Sequence, residues 1–227
     1  MHVAVDLLAV TVKDGELQLL LGRRADPPYP GCWALPGRLV GLEESAETAV
    51  RKLLSEMVKA GETYFEQLYT FSALNRDPRG RVISVAYLAV IPWKQLEAAN
   101  VSRLSRFAVR SGSEGMKLVS PDGFALAAGD LAFDHGEIIS LGIARLRGKI
   151  EYSGIGFRFL NEPDAFPLGE LLAIYGAVLE RTIDFSNFKR SILSRYLETG
   201  RIVQTDRTDQ SGHRGRGRPA VLYRVTD

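Results

Sequence analysis

Between Gly37 and Gly61 the chain reads GRLVGLEESAETAVRKLLSEMVKAG, with Glu43 after five intervening residues, Arg51 after seven more and Glu56 five positions on. What such carboxylates can do for phosphate chemistry depends on a metal. Mg²⁺ is a hard cation that takes oxygen ligands in near-octahedral geometry, usually carboxylates together with substrate phosphate and water. A metal so held neutralises developing charge and activates the water that splits a pyrophosphate. A different phosphate chemistry sits near the other end of the chain, where Arg214, Arg216 and Arg218 alternate with glycines. Glycine lets the backbone come close, and guanidinium groups meet phosphates or enter a minor groove. The sequence has no His/Cys cluster with metal-ligand spacing, and no bound cofactor is expected.

These groups need elements to hold them. Ala46, Ala49, Val50, Leu53, Leu54 and Met57 recur at spacings of three and four, the apolar stripe of a helix packed on a sheet. Taken alone, an ordinary amphipathic helix would show the same stripe. Ahead of it, residues 3–12 form a buried-strand pattern, Lys13 to Glu16 a turn, and Leu17 to Leu21 a second strand. Asp26 to Gly31 is too rich in proline for regular structure. Downstream, Tyr64 to Ala73 is a strand candidate, residues 75–80 a turn, and Val82 to Ile91 a fully buried strand ended by Pro92. Residues 99–136 are less legible, apart from a hairpin about Ser120-Pro121-Asp122-Gly123. Ile138, Ile139, Leu141, Gly142 and Leu146 then suit a second helix over the sheet. His135, at its start, either touches a ligand or serves as a capping or packing group. Strands flanking helices in this order predict an α+β sandwich.

At 227 residues the chain suits one domain of ordinary size with a smaller second one. Its 45% apolar and 25% charged residues are those of a soluble globular protein. No apolar run approaches the roughly 20 residues needed to span a bilayer. The N-terminus reads as a strand, not a targeting peptide, and the lone Cys32 fits a reducing cytoplasm. The net charge of +2 is unevenly placed: residues 181–227 hold ten Lys/Arg against five Asp/Glu, residues 1–180 nineteen against twenty-two. Such asymmetry points to a nucleic-acid face near the C-terminus. There, Leu168 to Leu179 reads as an amphipathic helix and Thr182-Ile183-Asp184 turns into another, Phe185 to Leu197. Its inward residues are Phe188, Ile192, Leu193 and Tyr196, and its other face carries Ser186, Asn187, Lys189, Arg190 and Ser194. Helix, turn, helix with a polar, basic face is the layout that inserts a recognition helix into a major groove. Strand-like runs at Arg201 to Gln204 and Leu222 to Val225 make the arginine–glycine stretch between them a wing. Asn161 to Asp164 reads as a linker, which divides the chain into residues 1–160 and 161–227.

The stretch from Gly37 resembles the Nudix box, the loop–helix–loop signature of Nudix hydrolases, and Trp33-Ala34-Leu35-Pro36-Gly37 matches its lead-in. In that family the frame reads Gly, five residues, Glu, seven residues, then Arg-Glu-apolar-any-Glu-Glu-any-Gly-apolar. Arg51 and Leu53 keep their places. The first helical Glu, however, is Lys52, the next is Ser55, and only Glu56 survives, while the closing pair is Val58-Lys59. Lys52 puts a cation where a carboxylate should help hold one. The resemblance therefore implies the Nudix scaffold with its hydrolysis absent or very weak.

With the winged helix added, the whole chain resembles the Nudix-related transcriptional regulators, the NrtR family. Gln67 to Phe71, Arg76 to Tyr87, Ala132 to His135, Leu146 to Tyr152 and Gly215 to Pro219 carry further matches. The resemblance implies an N-terminal Nudix α/β/α sandwich with a C-terminal winged helix-turn-helix domain. It also implies a homodimeric cytoplasmic repressor on palindromic operator DNA, controlling NAD metabolism genes, that is neither an enzyme nor a membrane protein. The effector would be an NAD-derived ligand such as ADP-ribose or a related nucleotide, bound without hydrolysis. By position in the box, Arg51 and Glu56 would line the old catalytic groove. Arg24, Trp33, Arg38, Arg76 and Arg81 are the candidates for gripping a diphosphate or stacking a base. Arg38 stands where hydrolases commonly have a second glycine, either filling the groove or clamping phosphate. Two other readings stay open: an active Nudix hydrolase of ADP-ribose, with Glu43 and Glu56 holding one metal, and a sugar-responsive regulator of the same architecture.

Overall fold

The first long strand divides its side chains between two apolar layers, and the N-terminal architecture follows from that division. The computed structural model describes residues 1–58, 63–99, 101–113, 115–209 (backbone alone at 207–209) and 220–226. In it, β1 (His2–Lys13) sends Leu8 and Val10 to one face and Val5, Leu7 and Ala9 to the other. The turn to β2 (Glu16–Arg23) holds Asp14 and Gly15 at φ of 52° and 75°, which a two-residue hairpin demands and these residue types tolerate. Two short strands follow, β3 (Trp33–Ala34) on β2 and β4 (Gly37–Leu39) on β1. Next come α1 (Ala46–Met57), β5 (Tyr64–Phe71), β6 (Val82–Val90) parallel to β1, and α2 (Trp93–Ala98). An antiparallel run of β7 (Leu104–Gly112), β8 (Gly115–Val119) and β9 (Ala125–Ala127) completes the sheet. Its order is β5-β6-β1-β2-β7-β8-β9.

The expected stripe of α1 is its buried face: Ala49, Val50, Leu53, Leu54 and Met57 pack over Val5, Leu7 and Ala9. Ser45 caps the helix, its Oγ accepting from the Thr48 amide at 3.1 Å. The opposite face of the sheet is covered by α3 (His135–Ile150). Of the residues expected to face inward on α3, Ile138, Ile139, Gly142 and Leu146 do so. Leu141 instead turns outward and Ile143 takes its place. The hairpin about residues 120–123 is present as the β8–β9 turn. No strand was expected over residues 104–112. In β7 only Phe107, Ala108 and Val109 are buried, too short a run for periodicity to register.

A 3₁₀ turn, Gly154–Phe159, leads into β10 (Phe166–Pro167), α4 (Leu168–Leu179) and α5 (Phe185–Ile192). The helix of α5 continues as a wider π turn over Leu193–Leu197, so one helical rod spans the expected 185–197. The strands β11 (Ile202–Asp209) and β12 (Ala220–Val225) form a three-stranded sheet in the order β10-β12-β11. Helices and sheet together make a winged helix. Its first helix, α4, also packs on β1 and β2 beside α3, so one apolar core runs from Leu8 through Leu171 and Val178 to Tyr223.

Candidate functional site

Asp6 is a carboxylate inside an apolar strand, and burial must be compensated by partners. Its Oδ2 accepts from Ser84 Oγ at 2.5 Å and from Arg76 Nη2 at 3.2 Å, and its Oδ1 lies 3.4 Å from His135 Nε2. The Leu35 amide donates to His135 Nδ1 at 2.9 Å. A backbone N–H can only donate, so the ring proton sits on Nε2 and faces Asp6. Arg76 closes the cluster through a two-pronged bond to Asp134, Nε to Oδ2 at 2.8 Å and Nη2 to Oδ1 at 2.7 Å. Burial pushes the Asp6 carboxyl up, but the hydrogen bonds from His135 and Ser84 and the Arg76 charge outweigh it and hold it below the ordinary carboxylate value.

This cluster floors a cavity of about 190 Å³ bordered by Arg24, Arg38, Arg79 and Phe133. The Phe133 backbone is left-handed, with φ of 55°. A bulky side chain adopts that only where its surroundings hold it. Here Arg24 lies 4.8 Å and Arg79 5.7 Å from the ring centre, and Tyr29 meets it edge-on at 5.0 Å. Arg24 is anchored to the Pro28 carbonyl at 2.8 Å, and Arg79 to Asp77 at 2.7 Å. Gly37 must be a glycine for reasons of space: a Cβ there would stand 2.4 Å from Asp6 Oδ1 and 2.9 Å from the Val5 carbonyl oxygen. Gly37→Ala is expected to lose about 1–3 kcal/mol of stability by thermal denaturation, the usual result of forcing atoms into a filled site. Gly169→Ala, at an open helical position, should be neutral or slightly stabilising.

The box beside the cavity does not suit a divalent metal. Glu44, the carboxylate that turns inward there, accepts from Lys52 Nζ at 2.7 Å and lies 3.1 Å from Arg38 Nη2. The Lys52 bond, the Gly41 amide and the Arg38 charge keep it below the ordinary carboxylate range. Its oxygens are already matched by two cations. Glu43 and Glu56 are exposed, and among the described residues no group of three or more His, Cys, Asp or Glu converges on a metal position.

Of the residues singled out in the sequence, Arg24, Arg38 and Arg76 meet at the cavity, Arg76 as a buried strut beneath it. Arg51 and Glu56 do not join them. Arg51 pairs with Glu47 at 2.8 Å and faces a separate cleft between α1 and β5. Trp33 is turned toward the core, edge-on to Phe107 at 5.0 Å. Arg81 is spent on the Ser72 and Ala73 carbonyls, at 2.7 and 3.1 Å. His135 is buried and accepts from the Leu35 amide, and its ring also reaches the cavity wall. Asp6, Ser84, Arg79, Phe133 and Asp134 were missed. A lone aspartate in an apolar strand was the available signal.

On the winged helix, Asp184 caps α5 by accepting from the Asn187 amide at 2.8 Å. Phe188, Ile192 and Tyr196 face inward, while Ser186, Asn187, Lys189, Arg190 and Ser194 are all exposed. Arg190 Nη2 donates to Asn187 Oδ1 at 2.7 Å and Ser194 Oγ reaches Glu198 at 3.4 Å, so both remain open to a further partner. The wing arginines Arg214, Arg216 and Arg218 lie outside the described residues.

Residues 1–140 match the NUDIX domain family, and residues 156–225 the NrtR DNA-binding winged helix domain. The fold and site thus define a Nudix sandwich that lacks two of the three helical carboxylates of its box, joined to a DNA-binding winged helix. The protein named ADPR responsive transcriptional repressor NtrR, from Acinetobacter baylyi, is 32% identical over 97% of this chain and 80% of its own length. The crystal structure of Shewanella oneidensis NrtR complexed with a 27mer DNA covers 99% of this chain and 93% of its own, with 27% identity and a TM-score of 0.75. An ADP-ribose pyrophosphatase from Methanocaldococcus jannaschii is 31% identical over 47% of this chain and 62% of its own length. The chain belongs to the NrtR family of Nudix-related transcriptional regulators.

Proposed function

We propose that the protein is an ADP-ribose-responsive transcriptional repressor of NAD metabolism genes, whose operator complex is released when ADP-ribose or a related NAD-derived nucleotide enters the arginine-bordered cavity. The observation that carries this reading is the exchange of charge at the box: cationic Arg24, Arg38 and Arg79 surround the cavity, and Lys52 occupies the place of a metal-holding carboxylate. Guanidinium groups bind a diphosphate through charge-assisted hydrogen bonds, and without a metal the bound pyrophosphate is not cleaved. A space of about 190 Å³ seats the diphosphate and leaves the two ribosyl ends along its rim. The names of the Acinetobacter and Shewanella proteins support the effector and the DNA.

Helix α3 links the two functions. It begins beside Asp134 in the polar cluster, and near its far end Arg147 donates to the Val178 carbonyl, Ser111 Oγ and Glu180 Oε2 at 2.9, 2.8 and 2.8 Å. Ligand on the cavity floor therefore bears on the helix that holds α4. Two copies about a two-fold axis place their α5 helices in half-sites of a palindrome, in the cytoplasm, and ligand favours the arrangement that misplaces them. A gel shift on the protein's own upstream DNA at fixed salt, with the same tubes assayed for AMP, tests this. ADP-ribose should abolish the shifted band without forming AMP. Arg24→Ala or Arg38→Ala should raise the ADP-ribose required by about tenfold or more and leave the unliganded shift intact. Release of AMP would hand the case to the hydrolase, and a band indifferent to ADP-ribose would end the effector assignment.

A further inference from the structure

A second cavity, of about 420 Å³, opens where the Nudix sheet meets the winged helix. Tyr64, Gln95 and Lys149 border it from the Nudix side, Arg158 from the connecting 3₁₀ turn, and Arg201 and Thr226 from the winged helix. Lys149 is already matched, donating to Glu66 and to the Tyr64 hydroxyl. The two arginines are not. Among the described residues neither Arg158 nor Arg201 has a hydrogen-bonding side-chain partner or an ion pair. Their contacts are with ring faces, Arg158 at 5.6 Å from Tyr64 and Arg201 at 5.7 Å from Tyr196. One carboxylate, Asp164, also borders the cavity and stands in no ion pair with either.

The backbone beside both arginines is closely packed. Arg158 is the exposed member of a stretch in which Ile155, Phe157, Phe159 and Leu160 are buried. That stretch is fixed by Gly156, where a Cβ would stand 2.6 Å from the Tyr175 ring. Arg201 lies against Gly154, where a Cβ would stand 2.9 Å from Nη2. Like charges brought to one concave space repel, and a bound anion relieves that repulsion. Junctions between domains are common places for ligand sites, and the volume lies within their usual range of roughly 300–1,000 Å³.

We propose that this junction cavity binds a phosphate-bearing small molecule of mononucleotide size, with Arg158 and Arg201 as its anion ligands and the Tyr64 and Gln95 side chains along its neutral part. The site is separate from the arginine-bordered cavity above Asp6. Because its walls come from both the sensing and the reading halves, occupancy fixes how the winged helix is carried on the sheet, and the protein answers to a second phosphorylated metabolite.

The test is calorimetric titration of the full chain with AMP and with ribose 5-phosphate, alongside Arg158→Gln, Arg201→Gln, Gly154→Ala and Arg38→Gln. Both arginines are exposed, so the variants should melt as the wild type does. Expected is binding of at least one probe that weakens about tenfold or more in Arg158→Gln and Arg201→Gln. Gly154→Ala, which displaces the Arg201 guanidinium without removing it, should weaken binding too, and Arg38→Gln should leave it unchanged. ADP-ribose binding should show the reverse pattern, so failure of one site is distinguishable from failure of the other. Absence of heat with both probes at millimolar concentration would overturn the proposal, as would probe binding lost in Arg38→Gln and retained in the two junction variants.

Discussion

Arg76→Ala is expected to destabilise the protein by about 3–5 kcal/mol, the usual consequence of removing one partner from a buried ion pair. Arg76 is only 4% exposed at its side chain and binds two carboxylates, Asp134 through both oxygens and Asp6 through one. Without it two carboxylates stay in the interior, and among the described residues only Asp6 keeps other side-chain partners, in Ser84 and His135. Arg51→Ala, which breaks a pair exposed at 65% and 58%, should cost no more than about 0.5 kcal/mol. Urea unfolding at pH 7 distinguishes the two. The difference should also depend on pH. The folded-state pKa of Asp6 lies below its ordinary 3.8, since His135, Ser84 and Arg76 together overcome burial. A lowered pKa contributes stability that is present above the unfolded value and is lost as pH falls through the folded one. The wild type therefore keeps this contribution down to about pH 4. In the variant, with Asp6 less well compensated, the deficit should shrink as pH falls toward that value. A variant within 1 kcal/mol of wild type at pH 7, or a deficit that grows in acid, would remove Arg76 from this role.

Lys189→Ala with Arg190→Ala should weaken operator binding by at least about thirtyfold while leaving thermal stability unchanged. Both side chains leave the exposed face of α5, and among the described residues the bond lost is the one from Arg190 to Asn187. An arginine on a base edge contributes about 1–3 kcal/mol, and a lysine on a phosphate steepens the salt dependence by about one unit of slope. Fluorescence anisotropy between 50 and 200 mM salt reads both quantities. Expected are lower affinity throughout and a slope reduced by roughly one to two units. ADP-ribose binding should be untouched, because the arginine-bordered cavity shares no residue with α5. Unchanged affinity and slope would mean that DNA is met by another surface.

How far the sequence was legible depended on whether one local signal governed each element. The stripe of α1, the turn at Asp14-Gly15 and the helix Leu168–Leu179 follow from neighbours in the chain, and their positions hold. The site is different in kind. Asp6, Arg76, Ser84, Asp134 and His135 are brought together from β1, a turn, β6 and the start of α3, and spacing along the chain says nothing of such distances. Position in the box correctly marked Lys52 as a displaced charge. It could not show that Arg51 would point to another cleft, because one residue along a helix turns a side chain by about 100°. Trp33 likewise had the chemistry of a stacking residue, and its position in the chain said nothing of the contact with Phe107 that sets its ring.

The single core that runs from Leu8 to Tyr223 bears on how regulators of this build can diversify. The two family matches end and begin at residues 140 and 156, yet Leu171, Ile174 and Val178 of the reading half are sealed together with Leu19 and Leu21 of the sensing half. A recombination event in the connector would hand each half an apolar face cut to fit its former partner. New pairings of sensor and operator should therefore arise here by substitution within an intact chain, with cavity and recognition helix drifting separately on one inherited frame.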